Sequence, residues 1–143
     1  MRLFLAGACA FAAAVAIGCG GSDDDNLTKA EFLQQGNAIC KKGNQEIDKA
    51  ANKTFEKGKE PSKAQITKFA EDTLIPSVEE QVSGLRDLNP PSADEDQVNK
   101  ILDEADSALD ETKDAPAIFA ANEDPFKKAN QLANQYGLTE CGG

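Results

Sequence analysis

Four cysteines and 25 carboxylates are the residues of this sequence whose types could do chemistry. The cysteines stand at positions 9, 19, 40 and 141, and the chain contains no histidine. A thiol can act as a nucleophile, a metal ligand, a bridge partner or an attachment point for another group. Because a Cys/His catalytic pair needs a histidine, that form of catalysis is excluded. Histidine is also the commonest transition-metal ligand, so its absence weakens the case for such a site.

The first two cysteines belong to the N-terminal segment. Arg2 gives this segment a positive start, residues 3–17 form an apolar run, and small residues follow. This order is typical of a secretory signal peptide, and the run is shorter than the roughly 20 residues that span a bilayer. We predict that residues 1–18 are a signal peptide cut between Gly18 and Cys19. The alternative is an ordinary signal peptide cut near Gly18 or Ser22, with Cys19 incidental.

The residues around the predicted cut, Ala16-Ile17-Gly18-Cys19, resemble the lipobox of bacterial lipoproteins, although Ala16 stands where that family more often has leucine. In the family, the cysteine thiol is diacylglycerylated and the chain is then cut in front of it. The resemblance implies that Cys19 is lipidated and that acyl chains such as palmitate hold the protein on the extracytoplasmic face of the cell membrane. Residues 19–27 are predicted to be a flexible acidic tether, since glycines and three aspartates follow the cysteine.

Cys40 and Cys141 are the thiols that remain once Cys9 is removed and Cys19 carries lipid. An extracytoplasmic compartment is oxidising, so these two cysteines are predicted to form an intramolecular disulfide. Intermolecular pairing and free thiols remain alternatives at this point.

The charge balance restricts the partners. The formal net charge is −10, and it becomes −11 when Arg2 leaves with the signal peptide. A chain this acidic repels phosphate backbones and anionic lipid headgroups, so no nucleic-acid partner is expected and the lipid on Cys19 is the expected membrane contact. The other expected partner is an envelope protein or a small ligand of unknown identity.

The carboxylates are concentrated between Asp94 and Asp114, on a predicted helix. The sequence around these carboxylates lacks the glycine and the final glutamate of an EF-hand loop. A helix also distributes the carboxylates over its outer face, so they do not converge on one ion. Adjacent acids such as Glu79-Glu80 also point about 100° apart on a helix, which does not suit an acid–base pair. We therefore expect a solvated acidic face, with no catalytic residue, no metal and no cofactor, and we predict that the protein is not an enzyme.

Aromatic side chains offer a second kind of site. Large apolar rings spaced along several helices can fill a core or can line a cavity for an apolar ligand. Core packing is the favoured interpretation, and the cavity is kept as an alternative. The residues concerned are Phe55, Phe69, Phe119, Phe126 and Tyr136.

The elements that must position these residues are helices. Capping boxes are predicted at Thr28, Ser62 and Ser92, each with Glu or Gln three residues later. Apolar residues recur every three or four positions after each of them, which indicates amphipathic helices. Pro76 predicts a kink or short break in the second helix, and Asn89-Pro90-Pro91 ends it. 

A last helix is predicted to be capped by Asp124 with Pro125 in its first position, and Gly137-Leu138 predicts a Schellman stop. Four amphipathic helices without a strand pattern predict an all-α antiparallel four-helix bundle over residues 28–143. This topology brings the start of helix one near the end of helix four, within reach of a Cys40–Cys141 bridge.

The lipobox, Ile39-Cys40, Leu88-Asn89-Pro90-Pro91, Asp124-Pro125-Phe126 and the closing Tyr136-Gly137-Leu138 together resemble small uncharacterised lipoproteins of high-GC Gram-positive bacteria. The resemblance implies a location and a fold, but no reaction. The leading functional hypothesis is a non-enzymatic, surface-anchored helical interaction module of the cell envelope. The alternative is a carrier that holds a small apolar ligand in a cavity between its helices.

Overall fold

The structure is a computed structural model that describes residues 26–121 and 123–142. The predicted signal peptide at residues 1–18, the cleavage site at Gly18 and Cys19, and all but the last residues of the predicted tether lie outside the described residues. Within the described ranges, no helix is both long enough and apolar enough to cross a membrane.

Five α-helices build the described part of the chain, and no strand occurs in it. A π-helical turn, Ala70–Leu74, joins the second helix to the third, and a 3₁₀ helix, Pro116–Ala121, precedes the last one. The all-α prediction is therefore confirmed. The helices are α1 (Lys29–Thr54), α2 (Lys63–Phe69), α3 (Ile75–Arg86), α4 (Glu95–Asp114) and α5 (Lys127–Tyr136).

The first two predicted capping boxes are confirmed. The Thr28 hydroxyl accepts a hydrogen bond from the Glu31 N–H, and the Glu31 carboxylate accepts one from the Thr28 N–H at 3.0 Å. Ser62 and Gln65 make the same reciprocal pair at the start of α2. Both boxes depend only on residues three positions apart, so the local sequence is sufficient to form them.

The predicted starts of the last two long helices are wrong by a few residues. Residues 92–94 form a turn and α4 begins at Glu95, without a side-chain cap. The Asp94 carboxylate instead accepts a hydrogen bond from the Tyr136 hydroxyl at 3.0 Å and pairs with Lys29 at 3.2 Å. Similarly, α5 begins at Lys127, while the Asp124 carboxylate accepts a hydrogen bond from the Phe126 N–H in the preceding turn.

The π-helical turn lies where Pro76 was predicted to distort the second helix. Pro76 has no N–H to donate, and its ring would clash with the carbonyl four residues earlier in a regular α-helix. The wider turn accommodates it, since the Ile75 N–H bonds to the Ala70 carbonyl five residues back. As a result, α2, the π turn and α3 follow one another without a break over residues 63–86.

Helix α5 ends in the predicted Schellman motif. Gly137 has φ 112°, and the Leu138 N–H bonds back to the Ala133 carbonyl at 2.9 Å. Glycine adopts this left-handed conformation without the penalty that a Cβ brings. The motif reverses the chain, so residues 138–142 leave α5 and reach α1.

The hydrophobic core lies where α3 packs against α1 and α4, and where α4 packs against α5. The 3₁₀ helix packs against α2 and α4, and its Phe119 lies against the edge of the core. The core residues include Phe32, Cys40, Val82, Leu85, Val98, Ile101, Leu102, Leu109, Ala133, Tyr136 and Leu138.

Candidate ligand-binding groove

The predicted disulfide between Cys40 and Cys141 is confirmed, with the two Cα atoms 5.0 Å apart. Cys40 lies in the buried face of α1, and Cys141 lies on the segment that follows α5. The bridge spans a sequence separation of 101 residues, so it ties the end of the described chain to its first helix. We call residues 137–142 the C-terminal tail.

Polar contacts hold the C-terminal tail along the first half of α1. The Asn37 amide donates to the Gly137 carbonyl at 3.0 Å and accepts from the Glu140 N–H at 2.9 Å. One turn beyond the bridge, the Asn44 amide donates to the Glu140 carbonyl at 2.7 Å. Leu138 is 1 % exposed and lies over Gly36, where a Cβ would come within 2.7 Å of the leucine side chain. The tail therefore covers the buried face of α1 as far as Asn44.

The five aromatic residues that the sequence offered as the lining of one cavity belong to three separate ring–ring pairs. Phe55 and Phe69 contact each other with ring centroids 5.0 Å apart. Phe119 and Phe126 form a stacked pair with centroids 6.5 Å apart. Tyr136 lies in the core, edge-on to Phe32. The core interpretation is thus correct for Tyr136, and the other four rings are only partly buried.

A groove of about 480 Å³ lies beside the Phe119–Phe126 pair. This volume falls in the range of small-molecule sites. The second half of α1 forms one side, the π turn and α3 contribute the apolar surface, and the segment from the 3₁₀ helix to α5 forms another side. The lining residues are Asn44, Ile47, Asp48, Leu74, Val78, Gln81, Phe119, Asp124, Phe126, Asn130 and Cys141.

The unequal lengths of the helices account for this groove. Helix α1 has 26 residues and α5 has ten, and α5 begins only after the 3₁₀ helix and a turn. The C-terminal tail covers α1 up to Asn44, and no α1 residue after Gly43 is buried. The groove therefore opens where the cover of α1 stops.

Gln81 is the buried polar residue of the groove wall. The residue is only 9 % exposed, and its Nε2 atom has no hydrogen-bond partner among the described residues. Its side chain fits over Gly43 of α1, where a Cβ would collide with it. A buried amide donor without a partner destabilises a fold by about 1–3 kcal/mol. The Gln81 N–H₂ group is therefore a hydrogen-bond donor that the described residues leave unsatisfied.

Four of the eight acidic residues of α4 form surface ion pairs. Arg86 of α3 pairs with Asp103 at 3.2 Å and with Asp106. The hydrogen bond that Arg86 donates to the Asp106 carboxylate is the main reason that the pKa of Arg86 is raised above its usual value. No group of three or more potential metal ligands occurs in the described ranges. These acids therefore act as a charged outer face in the structure.

Lysines complete the same charged surface from both neighbouring helices. Lys113 of α4 pairs with Glu79 of α3, and the hydrogen bond between them raises the pKa of Lys113. Lys128 of α5 pairs with Glu104 of α4. A separate depression of about 500 Å³ near α5 contains acids together with Lys127 and Lys128, so its lining carries both signs of charge.

Sequence reasoning identified two of the groove residues, Phe119 and Phe126, as possible cavity lining. It did not single out Gln81, Asp48 or Asp124 as members of a site. An amide opposite a helix glycine has no sequence signature, because the two residues come from different helices. Gly36 and Gly43, on the apolar face of the first predicted helix, are the residues whose type indicates a close approach of another helix.

No family model, curated protein or solved structure matches this chain.

Proposed function

We propose that the protein is a lipoprotein of the cell envelope, anchored in the membrane through lipid on Cys19. Residues 1–18 act as the signal peptide and residues 19–27 as the tether of an extracytoplasmic helical domain. The resemblance of residues 16–19 to a lipobox supports this proposal. In lipoproteins the cysteine of the lipobox carries the lipid and directly follows the signal peptide. The Cys40–Cys141 bridge supports the oxidising compartment, since disulfides persist outside the cytosol.

Detergent phase partitioning tests the anchor. The wild-type protein and Cys9→Ala are expected in the detergent phase, because position 9 is discarded with the signal peptide. Cys19→Ala is expected in the aqueous phase, since it cannot carry the acyl chains. The same phase for wild type and Cys19→Ala would contradict the anchor, whatever the domain binds.

We also propose that the helices form an antiparallel four-helix bundle, in which α2, the π turn and α3 count as one kinked helix. Two contacts support this arrangement. The Leu27 N–H, before α1, bonds to the Asn89 carbonyl, after α3, at 2.9 Å. Tyr136 at the end of α5 bonds to Asp94 at the start of α4. Nuclear Overhauser contacts in residues 28–143 would test the helix directions.

Within this setting the domain is a non-enzymatic interaction module. It binds a partner protein or a small ligand at the cell surface. The absence of histidine in the sequence and the engagement of the α4 acids in surface ion pairs support a binding role over catalysis.

One observation favours a small ligand, as in the carrier hypothesis. The groove beside Phe119 and Phe126 has the size of a small-molecule site and an apolar surface formed by Leu74 and Val78. Ile47→Trp adds bulk at this groove, and Ile118→Trp is a matched control at the separate depression near α5. The wild type and the two variants are purified from their own membranes, and co-purifying molecules are identified by mass spectrometry.

The outcomes of this experiment separate the proposals. A small molecule retained by the wild type and Ile118→Trp, and lost from Ile47→Trp, supports ligand binding in the groove. A partner protein retained by all three supports an interaction surface elsewhere. A substrate recovered together with its turned-over product overturns the non-enzymatic role.

A further inference from the structure

We infer that the groove binds a small organic cation, a compound with a protonated amine on a flat apolar body. This inference rests on the proposed small-ligand function and adds the chemical class of the ligand. It follows from the charges, the aromatic pair and the amides of the groove.

The charges of the groove are of one sign. Asp48 on α1 and Asp124 before α5 both line it, and none of its described lining residues is a lysine or arginine. Neither carboxylate forms a salt bridge with a described cation, although nine such contacts occur elsewhere in the described ranges. The net negative charge of the whole chain adds to the local field and attracts cations.

The aromatic pair provides the surface for a flat apolar body. The Phe119 and Phe126 rings are stacked at an interplanar angle of 17° and are only partly buried. An aromatic face binds both apolar groups and cations, and a cation within about 6 Å of the ring centre is stabilised. Asp124 is fixed close to this surface, because its Oδ1 atom accepts the Phe126 N–H at 3.1 Å. A carboxylate and a ring therefore act on the same part of the groove.

The amides provide the polar groups that orient a ligand. Gln81 contributes a buried donor that has no partner among the described residues, and Asn130 is a half-buried amide on α5. Asn44 already uses its N–H₂ group on the tail, so its carbonyl oxygen is the atom that remains to accept from an ammonium.

The neighbouring depression near α5 lacks this combination. It also contains Asp124, but Lys127 and Lys128 line it beside Glu111 and Glu123, and no aromatic residue does. The lysines repel a cation, so selectivity for an amine is expected only in the groove with the phenylalanine pair.

Three probes with one apolar body test the inference: 4-phenylbutylamine, 4-phenylbutanol and 4-phenylbutyrate. Their binding is measured by calorimetry on the full chain in non-ionic detergent at low ionic strength. The amine is expected to bind about tenfold more tightly than the alcohol, and the carboxylate most weakly. The preference is expected to shrink in 0.5 M salt, because the charges are solvent-exposed.

Charge-removing variants locate the effect. Asp48→Asn/Asp124→Asn is expected to bring the affinity for the amine down to that for the alcohol, with alcohol binding unchanged. An asparagine at position 124 still offers an acceptor to the Phe126 N–H, so the turn is retained. Asp87→Asn is the matched control, since Asp87 is an exposed carboxylate at the end of α3 that does not line the groove.

Equal binding of the amine and the alcohol would overturn the cation assignment and leave small-ligand binding supported. Loss of the amine preference in Asp87→Asn as well would also overturn it, because the preference would then come from net charge alone. If none of the three probes binds at millimolar concentration, both the inference and the small-ligand form of the proposed function fail, whereas the lipid anchor is decided by its own partitioning test.

Discussion

The two halves of α1 have the same apolar spacing and different surroundings. In the first half, taken as residues 29–43, the side of the helix that carries Phe32, Gly36, Cys40 and Gly43 is buried. In the second half, the residues at the equivalent positions, including Ile47, are only half-buried. The C-terminal tail and the disulfide cover the first half, whereas the second half forms a side of the groove. The difference shows that cover from the C-terminal tail and from α3, and not the apolar spacing of the helix itself, determines which part of α1 is closed.

The largest test of this comparison is a matched pair of phenylalanine substitutions. Phe32 is 0 % exposed in the first half, and Phe55 is half-buried at the end of the second. Phe32→Ala is expected to lower the free energy of unfolding by about 3–5 kcal/mol, because it leaves a cavity in the core. Phe55→Ala is expected to cost only about 1–2 kcal/mol, since it loses partial burial and one ring contact with Phe69. Urea unfolding measures both, and equal losses would contradict the contrast.

Removal of the disulfide is expected to have the next largest effect. Cys40→Ala/Cys141→Ala should lower the free energy of unfolding by about 2–5 kcal/mol, since the bridge closes a long loop. Hydrogen exchange should increase mainly in the C-terminal tail and in the first half of α1. Cys9→Ala, with its change in the predicted signal peptide, is the control that should leave the mature domain unaltered. A loss below about 0.5 kcal/mol would show that the tail is held without the bridge.

The tail contacts provide a smaller test. Asn37→Ala removes two hydrogen bonds to the tail and is expected to cost about 1–2 kcal/mol. Asn52→Ala is the matched control in the second half of α1, where the amide bonds only to its own helix at the Asp48 carbonyl. That change is expected to alter the free energy of unfolding by less than about 0.5 kcal/mol. A similar cost for both variants would mean that the tail contributes little.

The smallest effect concerns Tyr136, the single tyrosine of the chain. Burial, together with the hydrogen bond to Asp94 and its negative charge, raises the pKa of Tyr136 above its usual value of about 10. The neutral hydroxyl thus stabilises the fold below pH 10, and this contribution is lost as the pH rises further. Tyrosinate absorbance should appear only well above pH 10 in the folded protein. Asp94→Asn should move it to lower pH, and an unchanged titration would contradict this contact.

The parts of the fold that follow from neighbouring residues could be predicted from the sequence. The capping boxes at Thr28 and Ser62 and the stop at Gly137 each use residues within a few positions of one another. The disulfide could be predicted because the lipobox argument left only two cysteines. Pro76 likewise indicated the distortion, although not its π-helical form.

The parts that depend on distant residues could not be predicted. The predicted cap Ser92 lies in a turn, and α4 begins only after Asp94, whose carboxylate accepts a hydrogen bond from Tyr136, 42 residues away. The four phenylalanines considered as one lining fall into two pairs, and only Phe119 and Phe126 pack against the main core. The groove itself results from the length of α1 relative to α5 and the tail. The sequence of either helix alone does not predict it, because the two lengths matter only once the helices pack together.

The bridge between the tail and α1 also determines how the domain responds to a pulling force. A pull on the two ends of the described chain is transmitted from residue 40 to residue 141 through the sulfur atoms. The residues between the two cysteines bear no tension even if every helix unfolds. Only residues 26–40 and the last residues of the tail can be stretched, to a total length of about 55 Å at 3.3–3.6 Å per residue. The same chain without the bridge would extend about 400 Å. In the anchored domain that we propose, the disulfide would therefore act as a mechanical stop as well as a source of stability.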